Sequence, residues 1–373
     1  MPCSDTTCDD RERVHRRSAL PARLVVRCTK SIKGAKSKKQ LCMPAYTCIY
    51  CRTQNDRPFP SEHVMPKSLG RFTNSPVLNC VCRACNHFFG DELELFLASD
   101  TVEAILRVRH GVGTRKDAQK LRKTRLTIKV TEQGDWHGAR LELQFDASIM
   151  NFRATPFPQV AFKKKVEPAW HWFLESDLKR SEDFEQYRTD TETRIFASDV
   201  VVFQRLLEKL KQIGIDFHEH GKLQPPETHS GMIEAWVEST LDDTILRAVG
   251  KIAFNYLALS QGAEFALRDD FDQFRMYVRH GKKPPYALVI SSKQPILWGD
   301  DAMYRQTNGH LLVLNWNKTG FGLLCLVALF NHITYHALLC MSYQGLWRPI
   351  STGIHFDLES RTVSEVKAAG FLL

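Results

Sequence analysis

The sequence predicts an α+β protein, with a small cysteine-rich block near the N-terminus and a longer region of helices and antiparallel strands behind it. Four cysteines fall into two Cys-x-x-Cys pairs between Tyr46 and Gly90. Further along, short stretches alternate apolar and polar residues with period two, and other segments repeat apolar residues at helical spacing. With 373 residues, 43% hydrophobic and 25% charged, the chain can bury a sizeable interior and suits a small number of domains.

The charge balance narrows the partners. Fifty-one basic residues against 42 acidic give a net charge of +9, which favours a polyanion such as nucleic acid. No membrane partner is expected, because the most apolar stretch, "GFGLLCLVALFNHITYHALLC", is interrupted by Asn331, His332 and His336. Those residues read instead as paired buried strands. The N-terminus lacks a signal-peptide core, so a cytoplasmic location is expected, and the 11 cysteines should stay reduced. Paired Cys-x-x-Cys spacings in that setting favour a metal over disulfides.

The domain reading follows the chain. Residues 1–45 form a basic, flexible arm, since Met1 to Thr47 holds eleven Lys or Arg against four Asp or Glu. It is read either as an arm that tracks phosphates or as a solvated tail. Residues 46–153 hold the cysteine block, then the helix "DTVEAILRVRHG", with Asp100 as N-cap, Glu103 closing a capping box and Gly111 ending it. The hairpin "RLTIKVTEQGDWHGARLELQF" follows. Arg107 to Lys129 carries nine basic residues and one acid, a second phosphate-facing strip or an ordinary solvated face.

Ala154 to Pro168, rich in Pro, Glu and Lys, reads as a linker to a C-terminal domain at 169–373. "SDVVVFQRLLEKLKQIG" is an amphipathic helix, and "SGMIEAWVEST" is strand-like. "LDDTILRAVGKIAFNYLALSQG" has Ile245, Val249, Ile252, Ala253, Tyr256 and Leu257 on one spacing and reads as a central buried helix. "PYALVIS", "HLLVLNWN" and "GFGLLCLVALF" supply an antiparallel sheet.

The chemistry sits in the cysteine block. Cys48, Cys51, Cys82 and Cys85 have the spacing C-x2-C-x30-C-x2-C, in which each pair presents two thiolates to one ion and suits a closed tetrahedral Zn²⁺ site. Cys80 is the spare thiol, and the choice of Cys82 with Cys85 rests on the x2 spacing. Four thiolates leave no open position for water, so the zinc is a staple. Between the pairs lie Glu62 and His63, and Asn86 follows the last ligand. In a strict pleat Glu62 and His63 point to opposite faces. Lys67 and Arg83 are candidate phosphate contacts.

These residues resemble the HNH, or His-Me finger (ββα-metal), endonucleases. "SEHVMPKSLG" is similar to the family's first strand with its Glu/Asp-His-x-x-Pro pattern, and "LNCVCRACNHFFG" is similar to the second strand turning into the helix. The likeness spans about residues 46–97. It implies an N-terminal ββα-metal zinc module followed by a mixed α+β domain with an antiparallel sheet. It also implies a metal-dependent endonuclease that hydrolyses phosphodiester bonds, most simply of DNA, as in restriction or phage defence. His63 would be the general base, and Asn79, with Asn74 as the alternative, would support the loop that orients it. Glu62 and Asn86, with His87 beside it, would hold one catalytic Mg²⁺ or Mn²⁺. The rival expectation is a non-catalytic zinc module that binds nucleic acid or a protein partner.

Overall fold

The computed structural model describes residues 46–112, 126–131, 136–146, 151–180, 184–215, 235–292, 309–317, 322–341 and 351–366, with a few isolated positions between them. The described residues all belong to one compact unit, Pro44–Leu373. The basic arm, and most of the basic strip at Arg107 to Lys129, lie outside the described residues. No helix among the described residues is long and apolar enough to cross a membrane.

The cysteine block folds into two minimal ribbons and a helix. Strands β1 (Tyr46–Thr47) and β2 (Gln54–Asn55) pair around the first Cys-x-x-Cys turn, and β3 (Glu62–His63) pairs antiparallel with β4 (Val77–Leu78). Helix α1 (Arg83–Phe89) opens on Cys82, passes into one π turn at Gly90–Glu94, and continues as α2 (Leu95–Ser99). Helix α3 (Val102–Arg109) follows. Its cap is Thr101 and not the expected Asp100, because the Thr101 hydroxyl accepts the Ala104 N–H at 3.3 Å. Glu103 closes no box on the cap: it is buried and accepts a hydrogen bond from the Tyr335 hydroxyl.

Beyond α3 the described strands build three sheets. The first runs β11-β5-β6-β7 from β5 (Leu126–Val130), β6 (Arg140–Asp146), β7 (Asn151–Pro156) and β11 (Ala235–Ser239). The second runs β10-β8-β9 from β8 (Gln159–Lys164), β9 (Trp170–Leu174) and β10 (Tyr187–Phe196). Helix α4 (Val200–Gln212) lays Leu206 and Leu210 on Val160 and Phe162 of that sheet. The expected linker is therefore mostly strand. Its lysines hid the pattern, because Val160 and Phe162 face in while Lys163 and Lys164 sit nearer solvent.

The third sheet is antiparallel and six-stranded, in the order β12-β15-β14-β13-β16-β17. Its members are β12 (Val289–Ser292), β13 (Gly309–Asn317), β14 (Gly322–Leu329), β15 (Ile333–Cys340), β16 (Ser351–Asp357) and β17 (Val363–Val366). The apolar stretch broken by Asn331 and His332 is its β14–β15 hairpin, as its interruptions predict.

Helix α5 (Asp243–Gln261) lies between this sheet and the cysteine block. Asp242 caps it by accepting the Ile245 N–H at 3.2 Å. From Ala248 to Ala258 every residue is buried, the signature of a helix surrounded by protein. Short α6 (Ala263–Ala266) and α7 (Asp272–His280) follow it. One hydrophobic core takes in Cys48, Ile49 and Phe89 of the cysteine block, Ile252 and Phe254 of α5, and Leu312 and Val327 of the sheet. This core draws residues from both sides of the expected division between 153 and 169. A block this small cannot bury enough apolar surface by itself, and α5 supplies the missing wall.

Tyr50 is the tightest seam. Its ring packs 4.4 Å from Phe89 and 5.3 Å from Phe254, and its hydroxyl donates to Asn255 Oδ1 at 2.8 Å. Tyr50→Phe leaves that buried acceptor short of a donor and should cost about 1–3 kcal/mol. Denaturant unfolding followed by circular dichroism and by zinc release should shift together, because the core is shared. A shift in zinc release alone would show that the cysteine block unfolds independently.

Candidate functional site

The two cysteine turns converge. Sγ atoms of Cys48, Cys51, Cys82 and Cys85 all lie within 4.8 Å of one another, and Cys80 is outside the group. Around zinc, with bonds of about 2.3 Å, tetrahedral sulfurs sit about 3.8 Å apart, and Cys51 and Cys82 are already at 3.5 Å. The chemistry of the set also fits a cation. Cys48 is held well below the usual thiol range, to about 4, by the Cys85 thiol and by backbone groups of Cys51, Cys82 and Tyr50, against its burial. Cys85 is pushed up by sharing a proton with Cys48 and by burial, and burial also raises Cys82. A dication would relieve that conflict and allow all four to be thiolates.

The C-terminal helices hold the first turn in place. Arg52, at φ 58°, closes it and reaches Asp269 at 2.5 Å and Asp272 at 2.8 Å. Arg275 of α7, almost wholly buried, donates to Ile49 O at 3.2 Å and to Ala266 O at 2.8 Å. The loop between β3 and β4 is held from the sheet. Phe330 N–H donates to His310 Nδ1 at 3.1 Å, so the other ring nitrogen donates to Leu69 O at 3.0 Å. Burial lowers the His310 pKa to about 3 and keeps it neutral for that role.

His63 is half-buried on β3, beside Val77 of β4. Burial, then the charges of Lys67 and Lys251, hold its imidazole below the ordinary histidine range against the pull of Glu94. It is neutral near pH 7 and can take a proton. Its Nδ1 is buried without a hydrogen-bond partner among the described residues. Lys67 is exposed nearby, and Arg83 is exposed on α1. Asn79 accepts from Ser61 Oγ at 3.3 Å and so ties the end of β4 to the start of β3. Asn74, at φ 57°, serves the intervening turn.

Glu62 has a different neighbourhood from the one the resemblance implies. It is buried, and its Oε1 pairs with the ammonium of Lys251 and accepts from Asn255 Nδ2 at 3.3 Å. Lys251 is fully buried on α5, and it also pairs with Glu94 at 2.5 Å and donates to His63 O at 3.3 Å. Burial alone would drive Lys251 toward the neutral amine, but Glu94 and Glu62 outweigh it and raise its pKa above the ordinary lysine value. Asn255, one turn further on, donates to His63 O at 3.2 Å. Asn86 is half-buried on α1, with its N–H on Cys82 O at 3.0 Å, and no hydrogen bond joins it to Glu62 or His63 among the described residues.

The catalytic cation therefore fits less well than the zinc. Adding Mg²⁺ at Glu62 would set two cations on one buried carboxylate or strand the Lys251 ammonium, and either is costly. Lys251, Asn255 and Glu94 were not singled out in the sequence. The available signal was two polar residues four apart within the mostly apolar stretch Ala248–Ala258, which places them on one face.

These features meet in one segment of the chain. Residues 48–100 match the HNH endonuclease family. No curated protein and no solved structure matches the chain. The HNH segment holds both cysteine turns, the β3–β4 ribbon and α1, and it ends one residue before Thr101, the cap of α3. Zinc-loaded protein should contain a single zinc ion per chain by elemental analysis, and Cys85→Ser should lose it. Because Cys85 belongs to the core shared with α5, the same variant should also lower the unfolding midpoint of the whole unit.

Proposed function

We propose that the protein is an HNH-type endonuclease that hydrolyses phosphodiester bonds of nucleic acid, with DNA as the substrate and zinc as a structural staple. The observation that carries this is His63, an imidazole on the β3 strand of the HNH segment, partly open to solvent and braced by Lys251 and Asn255 through its carbonyl. In this function His63 accepts the proton of the attacking water. Asn79 and Ser61 steady the strand, and Lys67 supplies positive charge toward phosphate. Arg83 offers a second basic contact on α1.

The Mg²⁺ or Mn²⁺ implied by the resemblance belongs to the same proposal, but Glu62 is not assigned to it, and no step is drawn through the ion. The net charge of +9 supports a polyanionic substrate. A cytoplasmic role in restriction or phage defence, with the C-terminal domain at 169–373 selecting the target, is the corresponding biological setting. One observation favours the rival, a non-catalytic zinc module that binds nucleic acid or a protein: Glu62 is used to hold α5.

Purified full-length protein incubated with supercoiled plasmid and with RNA, in Mg²⁺, Mn²⁺ or EDTA, separates the two. Cleavage of plasmid is the expected result. His63→Ala should reduce the rate by about 10²–10⁴ while zinc content and nucleic-acid binding stay unchanged. Full cleavage by a folded, zinc-loaded His63→Ala protein would return the segment to a binding role.

A further inference from the structure

The Lys251 ammonium has an all-oxygen surrounding: Glu62 Oε1, Glu94 Oε1 at 2.5 Å and the His63 carbonyl at 3.3 Å. Two carboxylates and a backbone carbonyl are the donors that a hard divalent cation selects. The elements that bring them together are unusual. Glu94 closes the π turn, a form of helix that is rare and recurs at functional sites. Glu62 and His63 come from β3, and the cation itself arrives from α5, 157 residues beyond Glu94.

The ammonium is also locked. Lys251 has no exposed surface, and its helix is buried on all sides. The single O–H of Tyr50 is shared between the Lys251 carbonyl at 3.2 Å and Asn255 Oδ1 at 2.8 Å. Swinging the side chain aside would leave a charge buried with no counterion, or require α5 to leave the core.

We propose that Glu62 and Glu94 form a two-carboxylate cation cradle whose resident cation is Lys251, so that the native chain binds no divalent metal at Glu62. The lysine stands in for the metal at that position and fixes a permanent positive charge behind the His63 backbone. This goes beyond the nuclease reading and rests on it only for its consequence, that any ion used in cleavage is held elsewhere.

The test counts Mn²⁺ and needs no cleavage assay, so failure here and failure of the nuclease reading are separate results. Free Mn²⁺ is titrated by electron paramagnetic resonance in zinc-loaded full-length protein. Wild type and Glu62→Gln should bind Mn²⁺ equally. Lys251→Met should gain about one further Mn²⁺ per chain, and Lys251→Met with Glu62→Gln should lose that gain. Binding in wild type that Glu62→Gln abolishes would overturn the proposal, as would a folded, zinc-loaded Lys251→Met that gains none. If Lys251→Met fails to fold, as judged by zinc content and circular dichroism, wild type against Glu62→Gln decides alone. Glu94→Gln, at a partly exposed side chain, repeats that comparison, equal binding supporting the cradle and lost binding overturning it.

Discussion

A buried ammonium between two carboxylates organises this molecule. Lys251 is fully buried, and burying a charge is tolerable only when it is paired and hydrogen-bonded. Its partners, Glu62 and Glu94, belong to the HNH segment, so neither α5 nor that segment can be removed without exposing the other's unpaired charge to the protein interior. Asn255 repeats the link one turn later, and Tyr50 closes it from within the first cysteine turn. The apolar contacts around this cluster supply most of the burial energy, but they are non-directional. The polar cluster sets which face of α5 meets β3.

That constraint bears on the chemistry. The two sides of β3 serve different ends: Glu62 faces α5, while His63 keeps part of its surface open and only its carbonyl joins the lysine. The four thiols lie around the turn that contains Tyr50, so a zinc ion there would hold the same seam from the other end. Arg275 and Arg52 tie that turn to α7 and to the residues just before it. Three of the four thiols, Cys48, Cys82 and Cys85, and Val64 and Met65 just after His63 thus lie in one core with α5.

Much of this was legible in the sequence, and the exceptions have physical causes. The cysteine spacing chose Cys82 and Cys85 over Cys80, and the structure gathers the same four thiols. Periodicity located α4, α5 and the β14–β15 hairpin because each buries one face or all faces. It passed over β8 because three lysines, Lys163 to Lys165, follow directly on the buried Val160, Ala161 and Phe162. Capping chemistry was off by one residue at α3, where both Asp100 and Thr101 are competent caps. Lys251 was hidden by its context: in a helix read for its apolar stripe, a single lysine looks like a solvated position. Glu94 depended on a π turn that no local pattern announces. The relation of Glu62 to Lys251, 189 positions apart, exists only once the chain has folded.

The coupling between Lys251 and Glu62 is the most direct measure of whether one buried ion cluster joins the HNH segment to α5. A double-mutant cycle on the zinc-loaded chain, with Lys251→Met, Glu62→Gln and the pair together, reads it from denaturant unfolding. Each single change should cost about 3–5 kcal/mol, since it strands a buried partner. The double variant should cost clearly less than the sum. Additive losses would contradict a shared cluster and would leave α5 and the HNH segment joined by apolar packing alone.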